Sequence, residues 1–527
     1  MKLKIANLFS ALAAVFLVGN YGCLASSHQV FLETEQFQQK GGWVVDAQFT
    51  EQMGSPYLLA HGMGKPVENA VTGVRFPAPG KYYVWVRTMN WVPGNWKAPG
   101  RFKLLVNDRE LENELGIIER WGWQYAGSVK IRELNVQVGL KDLTGFEGRC
   151  DAVYFNTQNV APPSDALKLA SFRKKMDPSG HDVDVTEQFD FVIVGGGIAG
   201  CGAAMAAAGM GLRVALINDR PVLGGNASSE IRVHTEGITG FSDSILSMLN
   251  TVHWPNGSPL AKEDDIKRHA NIEKNKNIRL FLNYKAFAIK KSGNRIVSVD
   301  ARHTSTGDII RFKAPLFADC TGDGWIGYWA NAGYMYGRED SAKYRESWDK
   351  YGRLWSPLQA DNRVMGASLL WSSRVTDIPV PFPEVPWAME VARNNAAVKG
   401  EWQWEYSTDS LNQINDAEKI RDHLFRAIYG SFFNAKKLEA NRYLELEWIG
   451  YVAGKRESRR LVGDYIYTFN DIRDHTKFPD AVVIEKRPVD VHYQRNQENP
   501  EMVDFISEAN YYNAGYYYIP YRSLYSK

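Results

Sequence analysis

The stretch 189–217 reads FDFVIVGGGIAGCGAAMAAAGMGLRVALI, and it decides the fold of the central part of the chain. An apolar strand leads into the turn Gly195-x-Gly197-x-x-Gly200, and an alanine-rich helix and a second apolar strand follow. Such a unit holds the pyrophosphate of a dinucleotide against the N-terminus of its helix. We predict a Rossmann-type α/β domain; the alternative is an α/β core with an incidental glycine turn. The residues expected to bind the dinucleotide are Gly195, Gly197, Ile198, Ala199 and Gly200.

The end of the second strand should bind the adenosine ribose. An acidic side chain about 20 residues after the glycine turn usually accepts hydrogen bonds from the ribose hydroxyls. Asn218 and Asp219 occupy this place, so both are candidates. The neighbouring Arg220 leaves a ribose 2′-phosphate open as an alternative.

Two later segments carry a family resemblance. They are LGGNASSEIRVH at 223–234 and PLFADCTGD at 315–323. In this order after the glycine turn, they resemble the FAD-dependent oxidoreductases of the glutathione-reductase-like superfamily, in particular the group related to heterodisulfide reductase A. The resemblance extends from about residue 188 to the end and implies FAD as the cofactor. It places Gly224 and Gly225 along the flavin, the main chain near Ala286 and Phe287 at the adenine, and Thr321 and Gly322 close to the nucleotide.

The same resemblance implies the domain plan of this part of the chain. Residues 188–330 should form the FAD-binding core with a β-meander, and 331–527 a substrate or cap region with an amphipathic helix at 416–433 capped by Asn415. Such proteins end in a further strand and glycine-containing turn that cover the flavin. We find no such segment before Lys527, so we expect it to be missing or supplied by another chain.

The catalytic candidates follow the Gly224-Gly225 pair. If the fold is as predicted, Glu230, Arg232 and His234 lie near the isoalloxazine. We predict His234 as acid and base and Arg232 as an electrostatic clamp, with structural ion pairs as the alternative. Asp490 and His492 form a second candidate pair. Neither the histidine spacing nor the widely separated cysteines predict a metal or an iron–sulfur cluster.

The first 25 residues have the pattern of a signal peptide. Lys2 and Lys4 precede an apolar run from residue 5 to 19, and NYGCLAS follows. Cleavage after Ala25 would release the protein, whereas Cys23 is a candidate site for a lipid anchor. We therefore expect an exported protein, periplasmic or tethered to the surface of a bacterium. The alternative is a buried N-terminal helix.

Residues 28–158 differ from the rest of the chain in their hydrophobic pattern. Short alternating strands such as GKYYVWVR at 80–87 and FKLLV at 102–106 predict an antiparallel β-sandwich. The segment resembles jelly-roll carbohydrate-binding modules and similar domains in xanthan-lyase-like proteins. Indoles in or near its loops could stack on sugar rings or serve as core and domain-contact residues; they are Trp91, Trp96, Trp121 and Trp123. Residues 159–187 should form an exposed linker.

Charge and composition narrow the functional classes. The 527 residues carry a net charge of +2, which does not indicate nucleic-acid binding. The leading hypothesis is an exported FAD-dependent oxidoreductase that transfers a hydride from a carbohydrate or other small sugar-derived substrate to flavin N5, with an electron acceptor that the sequence does not indicate. The alternatives are a flavin-containing polysaccharide lyase or hydrolase and a catalytically silent glycan-binding fragment.

Overall fold

The computed structural model describes residues 27–177, 182–236, 243–346, 357–493 and 502–526. The predicted signal peptide and Cys23 lie outside these ranges. No helix within them has the length and apolar character needed to cross a membrane.

The first part is built from two antiparallel sheets that share one hydrophobic core. One sheet has the order β2-β3-β10-β5-β8 with β1 beside β10, and the other has the order β4-β9-β6-β7. Apolar residues from both, such as Val84 and Leu104, meet in the core, so the predicted β-sandwich is present. Its strands are β1 (Gln29–Glu33), β2 (Val44–Asp46), β3 (Tyr57–Ala60), β4 (Ala70–Arg75), β5 (Gly80–Thr88), β6 (Phe102–Val106), β7 (Arg109–Glu110), β8 (Gly122–Ile131), β9 (Asn135–Asp142) and β10 (Gly148–Asn156), with the short helix α1 (Thr50–Met53) between β2 and β3.

The segment 159–187 is not the exposed linker that its composition predicts. It contains α2 (Ala166–Met176) and β11 (Val185–Gln188). Arg173 of α2 is buried and paired with Glu33 at 2.7 Å and Asp151 at 2.5 Å, so the helix is fixed to the sandwich. The exposed lysines of α2 make the segment polar, and the sequence therefore gave no indication that Arg173 is buried.

A parallel sheet forms the centre of the molecule. Its order is β14-β13-β12-β18, and each neighbouring pair is parallel. The strands are β12 (Phe191–Val194), β13 (Val214–Asn218), β14 (Ile278–Leu282) and β18 (Leu316–Asp319). The inner strands β12 and β13 are apolar and largely buried, as expected of strands covered on both faces, whereas the edge strands β14 and β18 are partly exposed. One face packs against α3 (Ile198–Gly209), α4 (Asp243–Leu249) and α5 (Ala261–Glu273). The predicted Rossmann-type α/β architecture is therefore confirmed.

A second sheet covers the other face. It comprises β15 (Tyr284–Ser292), β16 (Arg295–His303) and β17 (Ile309–Lys313), an antiparallel meander to which β11 adds in parallel. Phe312 of the meander packs edge-on against Phe281 of β14, with ring centroids 4.7 Å apart. The helix α6 (Trp325–Trp329) follows β18.

The remaining part of the chain contains one long helix, α8 (Ala417–Lys436), whose Ile420, Leu424 and Ile428 are buried as predicted. The helix begins one residue later than predicted, and Asp416 rather than Asn415 holds the N-cap position. The other elements are β19 (Tyr334–Met335), β20 (Ala367–Ser368), β21 (Trp371–Val375), α7 (Met389–Ala392), β22 (Glu405–Tyr406), β23 (Leu444–Ile449), β24 (Arg460–Leu461), α9 (Phe469–Arg473), β25 (Ala481–Glu485), β26 (Val489–Tyr493), β27 (Glu508–Tyr512) and β28 (Tyr517–Pro520).

The sandwich and α8 are joined by buried ion pairs. Arg149 of β10 pairs with Asp422 of α8 at 2.5 Å, and Arg421 of α8 pairs with Asp46 of β2. The side chains of Arg149, Arg421 and Asp46 are fully buried. Because breaking such a pair leaves a charge without a partner, these contacts fix the sandwich in one orientation.

Candidate functional site

A cavity of about 580 Å³ lies at the carboxyl ends of β12, β13 and β18. This is where an open parallel sheet usually binds its ligand. The walls come from three parts of the chain. They are the central sheet with its loops, the part that follows α6 and contains α8, here called the α8 region (the described residues between 331 and 526), and the sandwich, through the loop that contains α1.

Two glycines of the turn after β12 are required by close packing. Gly195 has φ of 110°, and a Cβ there would lie 2.1 Å from the carbonyl oxygen of Cys320. A Cβ on Gly200 would lie 1.9 Å from the carbonyl oxygen of Gly195. These positions let α3 approach the turn and the strand β18, as the sequence pattern predicts.

Gly197 has the opposite environment, because it faces open space. Among the described residues outside its chain neighbours, a Cβ at Gly197 would come no nearer than 4.0 Å to a heavy atom, the Cα of Gly225. The first hydrogen bond of α3 runs from Cys201 N to Gly197 O. The N–H groups of Ile198, Ala199 and Gly200 therefore precede the intrahelical ladder. An open cradle with free N–H donors at a helix N-terminus fits a pyrophosphate.

The opposite wall is formed by the two later motifs. Gly224 pairs with Gly197 in a parallel bridge, and Gly225 follows it along the cavity. Thr321 is held by Asp319, whose carboxylate accepts from the Thr321 N–H at 3.1 Å and hydroxyl at 2.7 Å. Gly322 has φ of 81° and open space where a Cβ would lie. These four residues line the cavity as predicted, and their contacts with a ligand stay a prediction.

The two ribose candidates differ in their surroundings. The Asn218 side chain accepts from Gly196 N at 3.0 Å and donates to the carbonyls of Arg220 and Val222. It therefore holds the glycine turn in place and has little capacity left for a ribose. The side chain of Asp219 is 40% exposed at the cavity edge. Of the two, Asp219 has the geometry of a ribose acceptor.

The predicted adenine segment lies on β15. Ala286 lines the cavity, as do its neighbours Tyr284 and Lys285. The side chain of Phe287 is 40% exposed, and its ring lies 5.3 Å from the guanidinium of Arg302. The structure therefore brings Ala286 to the site, whereas Phe287 is not among the residues that line it.

His234 lines the cavity, and its orientation is fixed by Asn256. The Asn256 side-chain oxygen accepts from His234 N at 3.0 Å and lies 2.5 Å from Nδ1. Because that oxygen can only accept, Nδ1 carries a proton and Nε2 is the basic nitrogen of the neutral ring. Nε2 lies 3.2 Å from a carboxylate oxygen of Glu236, which can only accept, so this contact is a hydrogen bond only when Nε2 carries a proton as well. The neutral ring can take up a proton at Nε2, and Glu236 then accepts a hydrogen bond from it.

Arg232 and Glu230 do not line this cavity. The guanidinium of Arg232 stacks on Trp448 at 3.9 Å and donates to the carbonyls of Ser229 and Gly257. Glu230 lies 3.2 Å from Arg220, and burial raises its pKa to about 7. The geometry therefore gives both residues structural contacts, the alternative that the sequence left open, and does not support the predicted clamp.

Neither residue of the second candidate pair lines the cavity, and both are half-buried. His492 Nδ1 lies 2.8 Å from Glu405, and Nε2 lies 3.5 Å from Asp490. Burial lowers the pKa of His492, but these two carboxylates more than offset it and the net shift is upward. Arg487, which lines the cavity, lies 3.8 Å from Asp490 and connects the pair to the site.

Several cavity residues carried no interpretable signal in the sequence. Lys455 reaches the cavity from beyond β23 and pairs with buried Asp323. Trp325 and Trp329 follow directly after the predicted segment that ends at Asp323. Other cavity residues reach the site because distant parts of the chain pack together, among them Gln48, Glu51, Gln52 and Arg487.

The indoles of the sandwich are mostly contact residues. Trp91 is buried, donates to the Phe146 carbonyl and packs on Trp387. Trp121 donates to Glu418 of α8 at 3.0 Å. Trp123 donates to the Pro163 carbonyl, and Trp96 is 40% exposed. Stacking on sugar rings therefore has no support at Trp91 and Trp121, which are the domain-contact residues of the alternative.

Comparison with known proteins gives the family. The family model described as FAD dependent oxidoreductase matches residues 190–527, more than half of the chain. The glycerol-3-phosphate dehydrogenase of Mycobacterium leprae (strain TN) is 43% identical over 53 residues, which are 10% of this chain and 9% of that protein. The chain therefore matches about a tenth of the length of this curated relative.

Two solved structures are similar to smaller parts of the chain than the family model. The L-proline dehydrogenase from P. horikoshii has 17% identity and a TM-score of 0.22, over 49% of this chain and 37% of that one. The glycerol-3-phosphate dehydrogenase from Bacillus halodurans, complexed with FAD, has 14% identity and a TM-score of 0.21, over 33% of this chain and 44% of that one. On the family match over its larger part, the chain belongs to the FAD dependent oxidoreductase family.

Proposed function

We propose that this protein is an exported oxidoreductase that uses FAD to oxidise an alcohol group of a carbohydrate or sugar-derived substrate. One observation carries the choice of substrate. The indole of Trp254 is 68% exposed and stands edge-on to His234, with ring centroids 4.4 Å apart. An exposed indole beside a proton acceptor at the cavity offers an apolar face on which a sugar ring can stack.

Different groups of the chain would bind different parts of FAD. The first-turn N–H groups of α3 and the open face at Gly197 would hold the pyrophosphate, and Asp219 the ribose. Gly224 and Gly225 would lie along the flavin, and Thr321 and Gly322 close to the nucleotide. When bound, FAD supplies the oxidant, which accepts the hydride from the substrate carbon.

His234 takes the proton that must leave with that hydride. The substrate O–H bond breaks, its proton moves to Nε2, and its electron pair forms the carbonyl of the product. Glu236, 3.2 Å from Nε2, stabilises the imidazolium that results. Asn256 keeps the ring in the orientation that presents Nε2 rather than Nδ1.

The experiment measures oxidation by the full chain loaded with FAD. Aldoses, sugar alcohols and oligosaccharides are supplied with an artificial electron-accepting dye. We expect dye reduction, a loss of about 10²-fold or more in kcat for His234→Gln, and a rise mainly in KM for Trp254→Ala. The proposal fails if no sugar reduces the dye or if His234→Gln keeps full activity. Products formed without any acceptor would instead indicate a lyase or hydrolase.

Export rests on the leader sequence and has its own test. Cell fractionation of the unchanged protein and of Cys23→Ala distinguishes a released protein from a lipid-anchored one. We expect the unchanged protein outside the cytoplasm, and a cytoplasmic protein with an intact leader would refute this part of the proposal.

A further inference from the structure

The sandwich contributes a wall of the cofactor cavity through the loop that carries α1. Gln48, Glu51 and Gln52 of this loop line the cavity. Gln48 donates to the Tyr451 carbonyl at 3.0 Å and accepts from Ala453 N at 3.0 Å. Gln52 donates to the Ile414 carbonyl at 3.0 Å. The loop is therefore fastened to the α8 region on both sides of Glu51.

Lys285 connects this loop to the central sheet. Its ammonium donates to the Ala47 carbonyl at 2.9 Å and lies 3.3 Å from Glu51 and 3.8 Å from Asp219. The side chain of Lys285 is only 12% exposed. Burial lowers its pKa, but Glu51 and Asp219 more than offset this and the net shift is upward, so the ammonium is charged.

The position of this cluster identifies the end of the cofactor that it faces. Asp219 follows directly after β13, where a Rossmann-type domain binds the adenosine ribose. Lys285 precedes Ala286 on β15, the segment expected at the adenine. One ammonium is thus shared between a carboxylate of the sandwich and the carboxylate best placed for the ribose.

We propose that the sandwich completes the adenosine end of the FAD site, with Glu51 as a positioning residue that draws Lys285 away from Asp219. Glu51 is the carboxylate nearer to the ammonium, at 3.3 Å against 3.8 Å for Asp219, whose other oxygen lies 3.8 Å from Arg220. Because Glu51 holds the ammonium more closely, Asp219 is better able to accept from ribose hydroxyls. Without Glu51, the ammonium turns to Asp219 and competes with the ribose. The inference rests on FAD occupying the glycine cradle and is independent of the substrate that is oxidised.

The test measures ADP and FAD binding to the cofactor-free full chain by calorimetry. ADP carries the adenosine end alone and probes the cluster without the flavin. We expect Glu51→Gln to weaken both ligands by the same factor, about tenfold, the size of one charge-assisted hydrogen bond. Glu51→Asp, which keeps the charge, should stay within about threefold of the unchanged chain. Glu133→Gln, at an exposed glutamate between β8 and β9, is the matched control and should change neither affinity.

A second background separates positioning from a structural role. In Lys285→Met there is no ammonium to divert, so adding Glu51→Gln should leave ADP affinity unchanged. The proposal is overturned if Glu51→Gln binds ADP like the unchanged chain, or if it weakens ADP equally in the Lys285→Met background. A melting temperature of the Glu51→Gln apoprotein lowered well below that of the Glu133→Gln control would also overturn it. Tight ADP binding by the unchanged chain would show that the glycine turn binds the adenosine end of the cofactor, independently of which substrate is oxidised.

Discussion

Gly197→Ala separates folding from cofactor binding more sharply than any other change at the site. Gly197 has φ of −67° and ψ of 179°, a conformation that alanine adopts without strain. The added methyl carbon would meet its nearest described heavy atom outside the neighbouring residues at 4.0 Å, an ordinary contact. We therefore expect the free energy of unfolding of the apoprotein to change by less than about 1 kcal/mol.

The affinity for FAD should change far more than the stability of the apoprotein. The methyl group occupies the space through which a phosphate reaches the N–H groups that open α3. Loss of two hydrogen bonds to a charged oxygen, at about 1.5 kcal/mol or more each, corresponds to a weakening of FAD binding by about 100-fold or more. The dissociation constant is measured by titrating apoprotein with FAD and following flavin fluorescence, and the melting temperature of the apoprotein is measured in parallel.

Two glycines within α3 serve as controls. Gly209→Ala adds a methyl group that meets nothing within 4 Å among the described residues and lies at the far end of the helix, so FAD affinity should be unchanged. Gly200→Ala places its methyl 1.9 Å from the Gly195 carbonyl oxygen, so it should lower stability as well as affinity. If Gly197→Ala binds FAD within about threefold of the unchanged chain, the pyrophosphate does not lie against this turn.

Two further predictions concern buried charges. Asp46→Ala removes the nearest carboxylate from the fully buried guanidinium of Arg421, and the next ones, on Asp422 and Glu418, lie 3.6 and 3.9 Å away. The loss of this charged hydrogen bond should destabilise the full chain by about 1.5–3 kcal/mol in denaturant titrations. Lys419→Ala, which breaks an exposed pair with Asp416, should have little effect, and equal effects of the two variants would contradict the interface described above. Glu230 has a pKa of about 7 in the folded protein, above its unfolded value, so the folded state binds the extra proton and stability falls as pH rises from about 4.5 to 7. In Glu230→Gln this part of the pH dependence should disappear from melting temperatures recorded between pH 5 and 8, and an unchanged profile would refute the assignment.

The parts of the site that the sequence predicted are those that local chemistry determines. The turn at Gly195, Gly197 and Gly200 carries its own strand and helix within 29 residues, so one window of sequence contains every element that positions it. Gly224 and Thr321 were found because each follows an apolar strand segment in a recognisable order. His234 lies at the cavity for the same reason, since it is only nine positions beyond Gly225.

Other residues could not be predicted because their roles depend on packing over long separations. Lys285 and Glu51 are 234 positions apart, and neither lies in a motif. Arg232 looked like a clamp from its position alone, but its positive φ of 63° and its stacking on Trp448 come from the tertiary structure. The polar composition of residues 159–187 wrongly predicted an exposed linker. In the structure, exposed lysines surround Arg173, whose ion pair with Glu33 fixes α2 to the sandwich.

The buried ion pairs explain how the sandwich can take part in cofactor binding. An apolar interface tolerates small rotations, whereas the pairs of Arg149 with Asp422 and Arg421 with Asp46 lose their partners when either element shifts. Asp46 lies only two residues before Gln48 and five before Glu51, so the contact that fixes β2 against α8 also fixes the loop at the cavity. The buried ion pairs therefore also position Glu51 of the sandwich, whose carboxylate lies 3.3 Å from Lys285. A sandwich that served only to hold a glycan would not need this constraint, since a flexible tether would present its loops equally well.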